Sequence, residues 1–161
     1  MSVQFNIRPL SDSDKSWVAS IIQTWGGDFI VSRGKKHYPA ELKGFCAESD
    51  SGEKIGLVIY DIAGDQCEMV TLDAFKKFVG VGSALTEKLR GAARDAGCKR
   101  LWLITTNDNL DAVRFYQKRG FIITAIYVDA LTESRKLKPA IPTIGCYGIP
   151  MRDEIELEMI L

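Results

Sequence analysis

The sequence is poor in the residues that build metal centres and disulfide frameworks. Among 161 residues it has one histidine, His37, and four cysteines, none of them in a C-x-x-C pair. The cysteines are Cys46, Cys67, Cys98 and Cys146. Zinc sites and small disulfide-rich domains need closely spaced sulfur or imidazole groups. We therefore expect reduced thiols that mostly fill the core, no bound metal and a cytosolic protein.

The chain also lacks an excess of charge of either sign. Lys plus Arg number 21 and Asp plus Glu number 21, so the formal net charge is zero. Binding to nucleic acid or to an anionic membrane usually needs a basic surplus, so neither partner is expected. No apolar run approaches the roughly 20 residues of a membrane span. The start, MSVQFNIRPL, lacks the charged-then-apolar order of a signal peptide. These absences predict a soluble, cytoplasmic protein.

The remaining pattern is that of one mixed α/β domain spanning residues 1–161. Hydrophobic periodicity predicts the element order β-α-β-β-β-α-β-α-β-β. Three consecutive strands favour an antiparallel meander, whereas the later strand–helix–strand units need crossovers and hence some parallel pairing. We expect a mixed central sheet with helices on both faces. Residues 28–40 are expected to be loop or short helix, and residues 134–153 a long loop.

The first helix is predicted from SDSDKSWVASIIQTWGG, residues 11–27. Ser11 and Asp14 resemble a capping box, with Asp in place of the usual Glu or Gln. The apolar side chains that follow repeat with helical spacing and form one buried face. They are Trp17, Val18, Ile21, Ile22 and Trp25.

The segment KKFVGVGSAL, residues 76–85, joins a strand to a second amphipathic helix. Gly80 and Gly82 let a ligand approach the main chain. The first helical turn offers free N–H groups, and its dipole favours an anion. Lys76 adds charge. No Lys-Ser or Lys-Thr follows, as a nucleoside-triphosphate loop requires, and Leu85 replaces the third glycine of a dinucleotide fingerprint. A backbone cradle for pyrophosphate and a tight turn that binds nothing both remain open.

A second segment, TTNDNLDAVRFYQKRGF at residues 105–121, narrows that choice. Together with the glycine loop it resembles the GNAT N-acetyltransferase superfamily. The loop is similar to the acetyl-CoA signature Q/R-x-x-G-x-G/A, aligned in order on Lys77, Phe78, Val79, Gly80, Val81 and Gly82. The second segment is similar to N-x-x-A-x-x-x-Y-x-x-x-G-F, aligned on Asn109, Ala112, Tyr116, Gly120 and Phe121. Lys77 stands where Gln or Arg is usual. It keeps the positive charge of Arg but lacks the planar guanidinium group.

The resemblance implies a GNAT fold, with a mixed sheet of about six to seven strands, and an N-acetyltransferase. Such an enzyme moves an acetyl group from acetyl-CoA directly to a primary amine, without a metal. The resemblance places the coenzyme at the glycine loop, along a splayed strand near Leu72, and beside Asn109, which can also cap a helix. Ser83, at the helix start, either reaches a phosphate or simply caps.

Two side chains are candidates for proton transfer. In family members that use it, the tyrosine matching Tyr116 sits beside the coenzyme sulfur, and a phenol with a pKa near 10 stays protonated at neutral pH. Tyr116 can alternatively be a packing residue only. Glu68 is the candidate general base, directly or through water, and is expected to share a strand face with Val70 and Leu72. A solvated strand residue is the alternative for Glu68, and Asp73 is a weaker candidate base.

The acceptor side is less defined, since the resemblance is weakest at residues 26–45 and 130–153. A polyamine, an amino acid, an antibiotic amine and a protein N-terminus all remain open. His37, in a basic run, is a base, part of a site for an acidic substrate, or part of a solvated loop, and the solvated loop is favoured. Tyr38 and Tyr147 are candidates for an acceptor pocket, as is Trp25, although a place in the buried helix face is favoured for Trp25.

Two other functions and one assembly also remain open. A non-catalytic acyl-CoA-binding or sensing module of the same fold would bind the coenzyme without turnover, and a dinucleotide oxidoreductase is a remote third reading. The alternating C-terminal strand, residues 154–161, would pair with a second copy as a homodimer if it formed an exposed apolar edge.

Overall fold

The computed structural model describes residues 4–76 and 80–161. The predicted site residues Lys77, Phe78 and Val79 lie outside the described residues. The helices are α1 (Lys15–Gln23), α2 (Val81–Asp95), α3 (Leu110–Lys118) and α4 (Ala130–Leu137). The strands are β1 (Phe5–Pro9), β2 (Ile30–Ser32), β3 (Lys35–His37), β4 (Lys43–Ser49), β5 (Lys54–Ala63), β6 (Gln66–Ala74), β7 (Arg100–Thr106), β8 (Ile122–Tyr127) and β9 (Glu154–Ile160).

A central sheet organises the described part of the chain. Seven strands pair in the order β1-β4-β5-β6-β7-β9-β8. The β6–β7 pair is parallel and the other neighbouring pairs are antiparallel. Strands β2 and β3 form a separate hairpin. The predicted mixed α/β class, the mixed sheet of about seven strands and the helices on both faces are therefore confirmed.

Two hydrophobic cores lie on the two faces of this sheet. The larger core packs α2 and α3 against one face, with Leu85 and Leu89 fully buried. The smaller core packs α1 against the other face through Val18 and Ile22. Central strand β5 serves both cores because successive side chains on a strand point to opposite faces. The two faces are called the α2 face and the α1 face below.

The local signals around α1 and α2 are confirmed in detail. The Ser11 backbone N–H donates to the Asp14 carboxylate at 2.9 Å, which is half of the predicted capping box. Gly80 has a φ of +79°, a left-handed conformation that glycine adopts without strain, and α2 begins at the next residue. Gly97 ends this helix with a φ of +83° and donates its N–H to the Arg94 carbonyl.

The prediction of loop or short helix for residues 28–40 is wrong in its main part. These residues form the β2–β3 hairpin, which lies on the α1 face beside β6 and β9. Each of its strands has three residues, too few for a visible alternation. Long-range contacts hold it instead, among them an ion pair between Lys35 and Asp61 at 3.0 Å. The predicted long loop at 134–153 is likewise shorter, because α4 occupies its beginning.

Strand β9 lies inside the sheet, between β7 and β8. The prediction that it forms an exposed edge for a homodimer is therefore wrong. Its alternating pattern arises because Leu157 and Met159 enter the α2-face core while the glutamates point to the other face. The edge next to it is β8, where Ile122 and Ile126 are each 59% exposed.

A bulge in β6 alters which side chains share a face. Thr71 pairs with Ile59 and Met69 pairs with Tyr60, so Val70 is left over between them. One extra residue reverses the alternation of a strand. Val70 packs in the α1-face core, whereas Leu72 packs against the α2-face core. The predicted common face of Glu68, Val70 and Leu72 therefore holds for the first two residues only.

Candidate active site

The site begins where the two parallel strands separate. Strands β6 and β7 pair over three residues, from Gln66 with Arg100 to Glu68 with Trp102. Both strands then continue, β6 to Ala74 and β7 to Thr106, without further pairing. Backbone groups on the inner edge of β6 beyond Glu68 therefore face an opening instead of a ladder. The splay that the family resemblance implied is present.

A cleft of about 490 Å³ occupies this opening and is called the central cleft. Its floor comes from β6 residues 68–73 and β7 residues 103–106, and its walls from α3, α4, β2 and the loop after α4. Six of the residues predicted as site candidates line it. They are Trp25, Glu68, Leu72, Asp73, Asn109 and Tyr116. The Asn109 side chain accepts the Ala112 N–H at 3.3 Å, so its predicted capping role is confirmed, while its contact with the coenzyme stays a prediction.

A second cleft, of about 570 Å³, lies at the start of α2 and is called the basic groove. Among the described residues, four basic side chains line it against a single acidic one, Asp111. The basic residues are Lys76, Arg114, Lys118 and Arg119. The same groove contains Gly80, Val81, Gly82 and Ser83, whose N–H groups begin a helix and lack intrahelical acceptors. The basic side chains, the free backbone N–H groups and the dipole of α2 thus all favour an anion in the basic groove.

Three of the basic side chains come from α3 or from the residue that follows it and were not singled out from sequence. Arg114 and Lys118 are four residues apart, which places them on one face of α3, and Arg119 directly follows the last residue of that helix. Arg119 donates to the Ser83 hydroxyl at 2.8 and 2.6 Å and stacks on the Phe115 ring at 3.4 Å. The Ser83 hydroxyl is therefore held by Arg119, and it makes no capping bond within α2.

Gly82 is required by close packing as well as by any ligand. A Cβ at this position would lie 3.2 Å from Cζ of Phe115, tighter than an ordinary contact. The absent side chain lets α3 approach the start of α2. Both glycines of the loop thus have a structural reason, Gly80 for its φ and Gly82 for its contact.

Tyr116 is both a core residue and a lining residue of the central cleft. It is 8% exposed, and its ring makes edge contacts with Phe115 and Phe121. Its hydroxyl lies 3.7 Å from Sδ of Met69, a weak acceptor. Burial, and then the nearby Asp73 carboxylate, raise the pKa of the phenol well above its ordinary value. The hydroxyl therefore keeps its proton at neutral pH and can donate it.

Asp73 stands out among the carboxylates of the central cleft. Burial raises the pKa of this carboxyl to about 6. Its Oδ2 is buried and has no hydrogen-bond partner among the described residues. A carboxylate with a pKa near neutrality and a free oxygen suits a general base. Sequence reasoning ranked Asp73 below Glu68 because burial of a strand-end aspartate cannot be inferred from local pattern.

Glu68 is buried and already engaged by the β2–β3 hairpin. Its Oε1 accepts the Ser32 hydroxyl at 2.6 Å, and its Oε2 lies 3.2 Å from Nε2 of His37. His37 is 2% exposed, so the prediction of a solvated histidine loop is wrong. On its other side, Nδ1 lies 3.6 Å from Asp61. His37 contacts the Glu68 carboxylate but is not among the residues that line the central cleft.

Glu154 is a further buried carboxylate of the cleft that sequence reasoning missed. It is 2% exposed and accepts hydrogen bonds from the Arg33 backbone and side chain, each at 3.2 Å. The Arg33 guanidinium lies 3.3 Å from the centre of the Tyr127 ring. In the sequence, Glu154 is one of three alternating glutamates on an apparently solvated face. No local signal distinguishes the one that the hairpin covers.

Of the three aromatic residues predicted for the acceptor site, one lines the central cleft and two do not. Trp25 lies beyond the end of α1, is 42% exposed and lines the central cleft, so its assignment to the buried helix face is wrong. Tyr38 and Tyr147 are exposed and are not among the lining residues of that cleft. The Tyr147 hydroxyl instead donates to Asp111 at 2.6 Å.

Three further findings concern the thiols, possible metal sites and possible membrane-spanning helices. All four cysteines are free, and Cys46, Cys67 and Cys98 are buried as predicted, while Cys146 is exposed. Within residues 4–76 and 80–161, no three His, Cys, Asp or Glu side chains come together as a metal site would need. None of the described helices combines the length and apolarity that crossing a membrane requires.

Comparison with known proteins identifies relatives over most of the chain. The model of the acetyltransferase (GNAT) family matches residues 14–121. YdhI of Bacillus subtilis, described as uncharacterized, is 44% identical over 121 residues, which are 75% of this chain and 76% of that protein. YxbD of the same organism, also described as uncharacterized, is 38% identical over 153 residues, 94% of this chain and 96% of that protein.

Solved structures share the fold at low sequence identity. An IAA acetyltransferase from Bacillus cereus superposes with a TM-score of 0.71 at 21% identity, over 98% of this chain and all of that one. A GNAT family acetyltransferase from Elizabethkingia anophelis, with acetyl-CoA bound, gives a TM-score of 0.70 at 22% identity over 98% of both chains.

Proposed function

Because the chain belongs to the acetyltransferase (GNAT) family, we propose that it transfers an acetyl group from acetyl-CoA to a primary amine. One observation carries the proposal. The basic groove and the central cleft adjoin through β6, and Tyr116 is buried in the gap left by the splayed strands. A bound acetyl-CoA in a neighbour of the same fold is consistent with this donor.

The two clefts suit the two ends of the donor. Its pyrophosphate matches the basic groove, where the N–H groups of Val81, Gly82 and Ser83 and the Arg119 side chain offer donors and charge. Lys77, Phe78 and Val79 complete the signature in sequence and belong to the same proposal. The pantetheine arm carries amide groups that can pair with a free strand edge, so it fits the unpaired inner edge of β6 near Leu72, with Asn109 opposite.

The transfer itself needs a base, an oxyanion donor and an acid. The amine nitrogen attacks the thioester carbonyl carbon, a C–N bond forms and the C–S bond breaks. Unpaired backbone N–H groups of β6 stabilise the carbonyl oxygen as it gains charge. The proton leaves the amine for a cleft carboxylate, either Glu68 through water or Asp73. The Tyr116 hydroxyl gives its proton to the departing thiolate.

Calorimetric titration with acetyl-CoA, with NADPH and ATP as controls, tests the donor. Micromolar binding that is selective for acetyl-CoA is the expected result, and absence of binding overturns the proposal. Release of free thiol on addition of an amine panel then tests the transfer. Tight binding without turnover on any amine would instead indicate a sensing module of the same fold.

A further inference from the structure

The central cleft contains one basic side chain among the described residues that line it, Lys138. Four acidic side chains line the same cleft, which makes a single cation conspicuous. They are Glu68, Asp73, Asp108 and Glu154. Lys138 follows the last residue of α4, and Ile141 and Pro142 of the next loop line the cleft with it. Neither the glycine loop nor the proton-transfer residues involve this lysine.

The Lys138 ammonium is buried and only partly satisfied. The residue is 7% exposed. Its Nζ donates to the Phe29 carbonyl at 2.7 Å, whereas an ammonium has three N–H donors. No carboxylate of the described residues lies within 4.0 Å of it. Burial lowers the pKa of this ammonium, and the Asp28 carboxylate, which forms no ion pair with it, offsets only part of that effect.

The cleft carboxylates do not supply the missing anion, because most of them have partners of their own. Glu154 is held by Arg33, and Glu68 accepts the Ser32 hydroxyl. Asp108 accepts the Thr106 hydroxyl at 2.5 Å and the Cys146 N–H at 2.8 Å. Asp73 is the exception, with a free oxygen and no ion pair among the described residues. The cleft thus offers one unpaired cation and one unpaired carboxyl group.

We propose that Lys138 binds the carboxylate of the acceptor, so that the substrate is an amine that also carries a carboxylate. The inference rests on the proposed function and specifies the acceptor of that same site. The one ammonium among the described lining residues matches a monoanion, whereas a phosphate dianion would leave charge uncompensated in a buried place. The rest of the acceptor is apolar, because Trp25, Ile30, Leu131, Ile141 and Met151 line the same cleft.

A purely structural role for Lys138 makes a different prediction. Its bond to the Phe29 carbonyl joins the end of α4 to the segment before β2, and its loss could loosen both walls. In that case kcat/KM would fall by the same factor for every acceptor, whether or not it has a carboxylate. A role in recognition affects only the acceptors that have one. The ratio between matched acceptors separates the two roles, because damage to the fold cancels in it.

The experiment measures kcat/KM by thiol release for matched acceptors. L-Leucine, L-phenylalanine and L-tryptophan are each compared with their carboxamide and with the corresponding amine that lacks the carboxyl group. We expect the amino acids to be preferred by about 10-fold to 100-fold, the range of a buried charge-assisted hydrogen bond. Lys138→Met, of similar length and without charge, should abolish the preference, and Lys138→Arg should retain most of it. Lys136→Met, an exposed lysine of α4, is the matched control and should change nothing.

Each outcome decides the proposal. An unchanged preference in Lys138→Met, or better turnover of the uncharged partners by the wild type, overturns it. Equal loss on all acceptors, together with a lower Tm, assigns Lys138 a structural role and also overturns it. Turnover confined to amines without a carboxylate does the same while leaving acetyl transfer intact. Failure of acetyl-CoA itself to bind, measured by calorimetry on the same samples, would instead reject the proposed function.

Discussion

Replacement of Asp73 by asparagine is expected to stabilise the protein at neutral pH. The Asp73 carboxyl is largely removed from water and its Oδ2 has no partner among the described residues. Above its pKa the folded state must hold a buried charge there, which opposes folding. Asparagine has the shape of the protonated acid and carries no charge, so the variant avoids the unfavourable free energy of burying a charge.

The size of the effect follows from the change in pKa on folding. Burial raises the pKa from an ordinary value of 3.8 to about 6. One pKa unit corresponds to about 1.36 kcal/mol, so the difference amounts to about 3 kcal/mol. The folded state binds the proton more tightly, so stability falls as pH rises from about 4 to about 6 and is level above that range. The variant should therefore gain nothing at pH 4 and up to about 3 kcal/mol at pH 8.

Urea unfolding of both proteins at pH 4 and pH 8 measures this difference directly. Other titrating groups are common to the two proteins and cancel in the comparison. Asp50→Asn, in an exposed turn, serves as the control and should show no pH-dependent gain. An equal effect of Asp73→Asn at the two pH values, or a destabilisation at pH 8, would refute the reasoning. If Asp73 is also the base, the variant is more stable and slower, and its activity loses the fall below about pH 6.

Three further predictions concern the groove, the acid and the sheet edge. Gly82→Asp should weaken acetyl-CoA binding at least about 100-fold by calorimetry, since it adds bulk and negative charge beside four cations. The control is Gly91→Asp, in open space on the same helix, which should bind acetyl-CoA normally. Equal affinities of Gly82→Asp and the wild type would show that the loop is not part of the site. Tyr116→Phe should slow turnover about 100-fold with unchanged acetyl-CoA affinity, because general acids contribute rate enhancements of about 10²–10⁴. Replacement of the exposed Tyr38 by Phe is the control. A wild-type turnover rate in Tyr116→Phe would show that Tyr116 is a packing residue only. We propose that the protein forms a homodimer and that the two copies pair through the β8 edge, so Ile126→Lys should give a monomer in light scattering. A monomeric wild type at micromolar concentration would contradict this.

The features that could be predicted from sequence are those that the chain specifies over a few residues. Gly80 needs a left-handed φ, Ser11 and Asp14 cap a helix start, and the spacing of Leu85 and Leu89 forms one helical face. Each depends on backbone sterics or on contacts within one or two helical turns. For the same reason, the two family motifs were recognisable although the acceptor site was not.

The features that sequence reasoning missed depend on what lies opposite a residue. His37 and Glu154 read as solvated because their segments are polar, yet the hairpin and β9 bury one another's charges. Strand β9 alternates as an edge strand would, but β8 pairs along its open side. In each case the partner comes from a distant part of the chain, and local composition carries no information about it.

The sequence by itself determined the class of the molecule and the place of the glycine loop before α2, because periodicity, turns and helix ends follow from local chain chemistry. Only the tertiary structure decided which carboxylates are buried, where β6 leaves β7, and that Lys138 is buried without an ion pair to any described residue. Burial and charge pairing are properties of the space between elements, and that space exists only once the strands have paired and the hairpin covers the α1 face.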